Sequence, residues 1–545
     1  MKLNPKRILI VAVTLFALIF VLVACNGDSQ DATPSASGAD GHATPFEETV
    51  TLTWAVQASA VQRFFDNDNY DYNRWSRRIY EDLNINLEVA LSADILTDAF
   101  ENRMQVALAS GDLPDLFEFG DRTWFNQAHE AGFLYDITDM FEAYAHDGIK
   151  AMRDMYPGGF AGATIDGRLY AFPSIVDNFH QAVYLWIRDD WLAESGMDAP
   201  TTVDEMVELA RIFTSGDGER FGFGLQQNLL ATDFGNIAGL VSSFGVPVRG
   251  QDIYFRGADG LITHGWIQPE VRDALSVLRD MFAEGLIDPE FVVKDGGALI
   301  PDITTGRIGM MFHMNWGTWW PFNMIFEEDG VTARPHPVPT APGHEIRIGV
   351  ANNETPDRLF MVNANISEPM AFMKLLNHYY HIIYEGDLDD FDRYWSEEQY
   401  RLAPVYVHIA NELFAPELLP ALAANDPAGL SAAVLPFFNF VQEFETGANT
   451  DPTRYGTWGQ MFERGSMAIA LEYKERGQMV ESIMGADRPD IWFQMVSLLE
   501  TEMLSVFTDI ITGVRPLDAF DQFVEDWLNM GGQEVLDELN EMFPN

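Results

Sequence analysis

The single cysteine of this 545-residue chain, Cys25, follows an unbroken apolar run at positions 8–24. A chain with one cysteine can form no internal disulfide, no CxxC redox pair and no cysteine-built zinc site. Lys2, Lys6 and Arg7 precede the apolar run. A basic start, an apolar middle and small residues before a cut are typical of an export signal.

The last four residues of this signal, Leu22-Val23-Ala24-Cys25, are similar to a bacterial lipobox, in which the cysteine is lipidated and becomes the mature N-terminus. A plain signal peptide or a single membrane anchor is the alternative, but 17 apolar residues are short for a spanning helix. We therefore expect a lipoprotein signal peptide at 1–24. The lipid on Cys25 should hold the protein on the outer, extracytoplasmic face of the cell membrane.

Residues 26–48 are rich in Gly, Ser, Ala, Thr, Asp and Pro. Because this composition buries little, it predicts a disordered tether over 25–48. The body begins near Thr49, and its length of about 500 residues is enough for two or more domains of the usual size. No later segment is apolar enough to predict a membrane span.

The formal net charge of −50 restricts the partners of the chain. A field of that sign repels nucleic acid and anionic lipid headgroups, so neither is an expected partner. It also disfavours large polyanionic ligands, although a local arginine cluster could override it. Solubility in a salty or alkaline habitat is the simplest explanation of the charge. The 13 tryptophans leave room for a stacking surface in addition to the core.

Strand and helix patterns alternate at the start of the body. β-Branched and apolar stretches at 49–56, 85–89 and 114–119 predict strands. Between them, 72–83 has a helical pattern, and apolar residues on one helical face at 100–108 stop before a glycine. This alternation predicts an α/β fold in which helices cover a mostly parallel sheet.

Two further helices are marked by their ends. Thr202-Val203-Asp204-Glu205 is a capping box that begins a helix. An apolar stripe at 517–528 predicts a C-terminal helix that breaks at Gly531 and Gly532.

Five segments, read in order along the body, resemble one known family. They are Ala109-Ser-Gly-Asp-Leu-Pro-Asp-Leu116, Asp166-Gly-Arg-Leu-Tyr-Ala-Phe-Pro173, Leu185-Trp-Ile-Arg-Asp-Asp-Trp-Leu192, Thr305-Gly-Arg-Ile-Gly-Met310, and the stretch from Ile510-Ile-Thr-Gly513 to Gly531-Gly532. Together they are similar to the extracellular solute-binding protein family 1, the receptors of carbohydrate ABC importers. The large lipoprotein branch of Gram-positive bacteria is the most similar.

This resemblance implies a periplasmic-binding-protein-like fold of two α/β lobes, joined by hinge crossings around a central ligand cleft. We expect the first lobe at 49–175 and 358–395, and the second lobe at 176–357 and 396–545. The implied function is to bind a carbohydrate in the cleft, close around it, and present the closed state to the permease subunits of the importer. The resemblance implies a monomer that needs no cofactor.

A sugar site needs forked polar groups for hydroxyls and a flat ring for the C–H faces. In α/β lobes, ligands collect beyond the C-terminal ends of strands. Asp121, Arg122 and Trp124 follow the predicted strand at 114–119 and offer both chemistries. The Asp-Arg pair also resembles one used for sugar hydroxyls in the maltose-binding branch. An exposed loop ion pair beside a core tryptophan is the alternative.

A second cluster follows the predicted strand at 308–312, where the family places a sugar-stacking tryptophan. The resemblance points to Trp316, with Trp319 or Trp320 as alternatives and Asn315 as a polar companion. Three tryptophans within five residues are more than a core corner usually needs.

Weaker candidates lie elsewhere. Asp177 follows the expected first crossing, and Trp458 could close the far side of the cleft, but core packing or an exposed loop explains either equally well. The acidic stretch 66–71 lacks the glycine and the closing glutamate of a calcium loop. We therefore expect a solvated turn there and no metal site.

The chain carries no GxSxG, GK[ST], HExxH or GxGxxG motif. We therefore expect no enzymatic activity. One rival hypothesis is an anchored glycoside-degrading enzyme, which needs only two carboxylates. A second rival is a receptor for peptides or other solutes on the same fold.

Overall fold

The computed structural model describes residues 44–544, apart from 59–61, 66, 95–98, 121, 176, 252, 353–355, 357, 408–410, 432 and 486–487. The predicted signal peptide, Cys25 and most of the predicted tether lie outside the described residues. Among the described residues, no helix combines the length and the apolar character that a bilayer crossing requires.

The strands are short and spread along the chain. They are β1 (Val50–Ala58), β2 (Ile85–Asp94), β3 (Leu116–Phe119), β4 (Thr164–Ile165), β5 (Arg168–Leu169), β6 (Ala171–Ser174), β7 (Tyr184–Arg188), β8 (Phe221–Phe223), β9 (Tyr254–Arg256), β10 (Ile262–His264), β11 (Ile308–His313), β12 (Ala333–His336), β13 (Ile348–Val350), β14 (Arg358–Val362) and β15 (Met479–Glu481).

The helices fill the intervals between strands and most of the last third of the chain. They are α1 (Arg74–Leu83), α2 (Ala99–Ser110), α3 (Arg122–Glu130), α4 (Thr138–Tyr144), α5 (Asp147–Met155), α6 (Pro157–Gly162), α7 (Asn178–Gln181), α8 (Asp189–Ser195), α9 (Val203–Phe213), α10 (Ala238–Ser243), α11 (Pro269–Ala283), α12 (Gly296–Thr304), α13 (Phe322–Asp329), α14 (Met370–Tyr380), α15 (Leu388–Trp395), α16 (Asn411–Ala424), α17 (Leu435–Thr446), α18 (Pro452–Met461), α19 (Ser466–Glu475), α20 (Asp490–Ile511), α21 (Ala519–Trp527) and α22 (Gln533–Met542).

The first sheet has the strand order β2-β1-β3-β14-β6. Its three N-terminal strands pair in parallel, as the alternating pattern predicts. β14 and β6 pair antiparallel, so the sheet is mixed and the expectation of a mostly parallel sheet holds only for its first half. The reason is that β14 reaches this sheet from far along the chain and enters it in the opposite direction.

The second sheet has the strand order β12-β7-β11-β8. β7 pairs antiparallel with both β11 and β12, and β8 joins in parallel with β11. All five residues of β7 are buried. The sheet is therefore covered on both faces. The strand β11 is also fully buried, and the chain leaves the sheet at its last residue, His313.

The helix ends form as the sequence predicts. The Thr202 hydroxyl accepts the Glu205 amide at 3.2 Å, and the Glu205 carboxylate accepts the Thr202 amide at 3.1 Å, which completes the capping box of α9. At the C-terminus, Gly531 has a φ of 119°. That left-handed backbone favours glycine and breaks the helical run between α21 and α22. Both predictions are confirmed.

A buried arginine connects the helix α15 to two helices that follow it in the chain. Arg454 on α18 pairs with Asp392 on α15 at 2.7 Å and with Glu443 on α17 at 2.8 Å. Its guanidinium also lies 4.0 Å from the centroid of the Phe440 ring. Because the arginine is buried while its partners are half-exposed, the cluster fixes the position of α15 without burying unpaired charge.

Candidate functional site

Residues 314–321, here called the tryptophan loop, connect β11 to α13. The rings of Trp316 and Trp320 stack with centroids 6.2 Å apart and an angle of 17° between their planes. Both rings are half-buried. Gly317 lies against the buried Trp186, where an added Cβ would stand 2.7 Å from the indole ring. Because Gly317 has no side chain, the loop packs directly against the second sheet.

His313 fixes the two ends of this loop. Its Nδ1 accepts the Met314 amide at 2.6 Å, and its Nε2 lies 2.9 Å from the carbonyl oxygen of Trp320. This pattern requires a neutral imidazole with its proton on Nε2. Complete burial agrees, because it lowers the pKa of His313 to about 3. The ring also meets Trp316 edge to face at 4.3 Å.

Asn315 stands at the start of the loop with its side chain 1% exposed. Its backbone carbonyl accepts the Ser466 hydroxyl at 2.9 Å. Neither the oxygen nor the nitrogen of its side-chain amide has a hydrogen-bond partner among the described residues. Burying such groups without partners costs about 1–3 kcal/mol. The amide is thus a forked donor and acceptor with its bonding capacity unused.

Trp319 points from the loop toward α18. Its indole nitrogen donates to the Gln460 side chain at 3.2 Å. An added Cβ at Gly456 would lie 2.6 Å from the indole, so only glycine permits this approach. The other side of Trp319 meets Trp395, at the end of α15, at 5.3 Å edge to face.

From Trp395, ring contacts continue to the first sheet and form what we call the aromatic chain. Trp395 stacks with Tyr400 at 6.3 Å, and Tyr400 meets Tyr406 at 5.4 Å. Tyr406 in turn packs at 4.9 Å on Phe360 of β14. The aromatic chain therefore connects the tryptophan loop with the face of the first sheet.

Where the aromatic chain reaches the first sheet it borders a small pocket, here called the sheet pocket, with space for about one water molecule. Its walls come from β1, β3, β14 and the segment 401–406. The lining residues are Trp54, Ala55, Gln57, Leu116, Phe117, Glu118, Phe360, Arg401, Ala403, Pro404 and Tyr406.

The other predicted residues lie apart from this pocket or outside the described structure. Asp121 is outside the described residues. Arg122 donates to the Thr164 carbonyl at 3.2 Å and lies over the Phe125 ring at 4.9 Å. Trp124 is half-buried and meets Phe119 edge to face. Their ligand-binding roles stay a prediction.

Asp177 and Trp458 have local structural contacts. Asp177 is 2% exposed and caps α7 by accepting the His180 amide at 2.9 Å. Trp458 is half-buried in a ring cluster with Phe462 at 4.6 Å and Phe444 at 4.9 Å. These contacts account for both side chains within the fold, and a ligand-binding role for either stays a prediction.

In the acidic stretch, Asn67, Asn69 and Asp71 are exposed, as expected of a solvated turn, whereas Asp68 is buried. Asp68 is 8% exposed and pairs with Arg77 at 2.6 Å, and its carboxylate also accepts the amide of Arg74 at 3.2 Å. It anchors the entry to α1. Within the described ranges, no three His, Cys, Asp or Glu side chains are grouped so that they could hold a metal ion.

Sequence reasoning missed the sheet pocket. Glu118 had a signal, since it is a carboxylate at the C-terminal end of a predicted strand. Arg401 and Tyr406 had none, because their place beside β1 depends on contacts between distant parts of the chain. His313 could have been noticed as a lone histidine ending a buried strand just before the tryptophans.

The family model described as bacterial extracellular solute-binding protein matches residues 54–378, which is more than half of the chain.

Two curated proteins align with part of the chain. The polygalacturonan/rhamnogalacturonan-binding protein YtcQ of Bacillus subtilis is 26% identical over 298 residues, covering 53% of this chain and 53% of YtcQ. The fructooligosaccharide ABC transporter substrate-binding protein FusA of Streptococcus pneumoniae is 24% identical over 343 residues, covering 59% of this chain and 60% of FusA. The chain thus spans little more than half the length of the curated relatives it matches.

The solved structure of S. pneumoniae FusA in complex with kestose is similar over a longer range. It covers 90% of this chain and 98% of that chain, with a TM-score of 0.61 and 16% identity. At that identity the likeness shows the fold alone. It confirms the predicted α/β fold of two lobes, of the periplasmic-binding-protein type, while the residue limits of the lobes stay a prediction.

The substitution His313→Gln tests how the loop is held. An unfolded imidazole has a pKa near 6.5 and takes up a proton below it, whereas the folded pKa of about 3 prevents this. The unfolded state therefore binds more protons between those values, so the stability that His313 provides is complete above about pH 6.5 and declines as the pH falls toward 3. Urea unfolding should show a loss of roughly 1–3 kcal/mol in the variant at pH 7.5. The difference in free energy of unfolding between the natural chain and the variant should become smaller toward pH 4.5. A difference that does not change with pH would contradict a neutral, buried imidazole.

Proposed function

Since this chain belongs to the bacterial extracellular solute-binding protein family, we propose that it is the substrate-binding receptor of an ABC importer. Its ligand is a carbohydrate, of oligosaccharide size, held in the cleft between two lobes. Binding involves no covalent step and no cofactor. The family and the relatives named above are binding proteins.

The observation that carries the sugar assignment is the composition of the tryptophan loop. Trp316 and Trp320 supply flat rings for the C–H faces of a pyranose or furanose. Next to Trp316 in the chain, the buried Asn315 amide has no hydrogen-bond partner for either polar atom among the described residues. A forked donor and acceptor of this kind matches two adjacent hydroxyls of a sugar. These two features together support a carbohydrate over a ligand that is only apolar.

The relatives support the same class of ligand. YtcQ is named for polygalacturonan and rhamnogalacturonan, and FusA for fructooligosaccharides. Both are names of saccharides with several sugar units. They differ in whether the sugar is acidic or neutral, so the relatives support an oligosaccharide without fixing its charge.

Closure of the lobes is the proposed response to the ligand. With lobes at 49–175 with 358–395 and 176–357 with 396–545, Arg63 and Glu327 belong to different lobes, and they pair at 2.5 Å. Both side chains are partly exposed, and exposed pairs contribute at most about 1 kcal/mol. That pair therefore contributes little to closure, and we propose that the differential affinity of the ligand for the closed state favours it.

Two rival functions remain separable by experiment. A peptide receptor would use the same fold with another cleft, and only peptides would then bind. A glycoside-degrading enzyme would consume the oligosaccharide during the assay. We propose that the purified protein binds without turnover, as a monomer, and delivers its ligand to the permease subunits of the importer.

The place of action follows from the N-terminus. We propose that residues 1–24 are removed, that Cys25 carries the lipid, and that 25–48 tethers the receptor to the outer face of the membrane. The extracellular character of the family supports this location.

The variant Trp316→Ala removes one of the two proposed stacking rings. Affinity for a bound oligosaccharide should fall by ~1–3 kcal/mol in calorimetric titration, because one desolvated ring contact is lost. The variant Phe493→Ala, which removes an exposed ring from α20, is the control and should bind normally. Unchanged affinity in a folded Trp316 variant would remove that ring from the site.

Asn315→Leu separates a binding role from a structural one. Because the amide makes no hydrogen bond in the described structure, the ligand-free variant should melt at the same or a higher temperature. Sugar affinity should nevertheless fall about tenfold or more. In the control Asn363→Leu, the lost amide donates to the Leu113 carbonyl at 2.8 Å, so the melting temperature should fall. A destabilised Asn315 variant with normal affinity would contradict the assignment.

The anchor is tested by Cys25→Ser. Without the cysteine no lipid can be attached, so the protein should move from the membrane fraction to the soluble fraction of the expressing cells. Continued membrane association of the variant would indicate an uncut apolar anchor instead.

A further inference from the structure

The short helix α7 and the tryptophan loop lie at the same end of the second sheet. Tyr184 at the start of β7 pairs with His313 at the end of β11, so the residues before β7 and those after β11 leave the sheet at the same end. The Tyr184 hydroxyl donates to the Phe179 carbonyl of α7 at 3.2 Å, which holds the helix there. Besides burial, the charge of His180 lowers the pKa of His313, which agrees with this placement.

The helix α19 packs against both segments. Its Ser466 hydroxyl donates to the Asn315 carbonyl of the tryptophan loop at 2.9 Å. Tyr473, on the same helix, stacks on Tyr184 with ring centroids 6.0 Å apart, and α19 also contacts α7 directly. Asn178 of α7 and Asn315 are therefore brought to one end of the sheet by the strand pairing and by a shared neighbouring helix.

Asn178 is the first residue of α7, and it is 7% exposed. Its amide nitrogen donates to the Glu481 carboxylate at the end of β15 at 2.5 Å. Its amide oxygen has no hydrogen-bond partner among the described residues. Because an ionised carboxylate can only accept, Glu481 fixes the amide with its nitrogen toward β15. Asn178 therefore presents only an acceptor on its other side.

Three amide atoms are thus buried without partners in this part of the described structure: the Asn178 oxygen, and the oxygen and nitrogen of Asn315. Folded proteins leave few buried polar groups unpaired, because each lost hydrogen bond costs stability. The two oxygens need donors and the nitrogen needs an acceptor. A hydroxyl group or a water molecule can be both, whereas a carboxylate has no proton to donate. The half-buried ring of Trp316, next to Asn315 in the chain, favours a sugar hydroxyl over water alone.

We propose that Asn178 is a further ligand-binding residue of the receptor, whose amide oxygen accepts a hydrogen bond from a hydroxyl of the bound oligosaccharide. Glu481 is the positioning residue that keeps this oxygen toward the sugar. Asn315 binds a neighbouring hydroxyl from the tryptophan loop. The inference rests on the proposed function and deepens it, because it requires that the sugar bears a free hydroxyl at this point.

The fixed orientation of the amide makes the contact selective. A hydroxyl can donate to the Asn178 oxygen, whereas an ether or carboxylate oxygen would place two acceptors against each other. A site built to pair with a hydroxyl rejects an analogue that lacks it, since the buried group is then left unpaired. Selectivity at this point therefore depends on Glu481 as well as on Asn178.

The test is calorimetric titration of the full chain and its variants with four trisaccharides: kestose, maltotriose, cellotriose and trigalacturonic acid. Asn178→Ala should weaken binding of each probe that the natural chain binds by about tenfold or more, because a buried hydrogen bond is lost. Glu481→Gln allows the amide to turn either way, so affinity should fall by about threefold or more. The matched control Glu475→Gln removes an exposed carboxylate from α19 and should bind normally.

A double variant separates the acceptor role from the structural bond. In Asn178→Asp combined with Glu481→Gln, the new amide at position 481 donates to the new carboxylate at position 178. The bond between the two positions is kept with its direction reversed, and a second oxygen at position 178 still faces the sugar. Affinity should therefore return to within about threefold of the natural chain. If Asn178→Ala does not fold, Glu481→Gln and this double variant still provide the test.

The outcomes separate this inference from the proposed function. If Asn178→Ala binds the probes as the natural chain does, the unpaired oxygen meets only water, and the inference is overturned while the carbohydrate receptor stands. A folded double variant that does not recover affinity would overturn the acceptor role of position 178. If the natural chain binds none of the four trisaccharides and no other oligosaccharide, the proposed function fails and this inference fails with it.

Discussion

The buried imidazole of His313 is the interaction on which the geometry of the candidate site depends. The chain leaves the centre of the second sheet at this residue, and its ring bonds both to the next amide and to the carbonyl of Trp320. A second bond, from the Trp186 indole to the Met314 carbonyl at 2.9 Å, holds the same corner. With a single cysteine in the chain, no disulfide can do this. The half-buried rings of the loop are thus positioned by a neutral, desolvated group.

The aromatic chain extends this rigid corner to the other sheet. Trp319, Trp395, Tyr400 and Tyr406 contact one another in sequence over 5.3 to 6.3 Å and end on Phe360. Rings packed in this way move together more readily than they separate, since each contact contributes free energy beyond simple burial. The aromatic chain thus joins the tryptophan loop to the first sheet through an unbroken series of ring contacts.

Local patterns predicted local structure well and long-range packing poorly. The strand expected at 49–56 forms at Val50–Ala58, and the capping box and the break at Gly531 are where the pattern placed them. These features depend on neighbours within a few residues. The antiparallel pairing of β14 depends instead on where the chain comes back to the first sheet. The pattern of apolar residues along a strand does not encode that position.

The candidate site shows the same division. The tryptophan loop was found because three large rings within five residues are conspicuous in any sequence. Its partner Trp395 was missed, because that contact joins positions 76 residues apart. Arg401 and Glu118 are ordinary surface residue types in the sequence, and only the fold brings them beside one pocket. Charged residues that are close in the sequence can be recognised as a cluster from the sequence alone. Charged residues that come from separate segments form a cluster only in the folded chain.

The most direct test of the central claim is a thermal-shift screen of the purified protein against oligosaccharides, monosaccharides, peptides and polyamines. A ligand that binds only the folded state raises the melting temperature with the logarithm of its concentration over the dissociation constant. The receptor account predicts a clear, concentration-dependent shift with one family of oligosaccharides and no consumption of the sugar. A shift with peptides alone, or loss of the sugar during the assay, would contradict it.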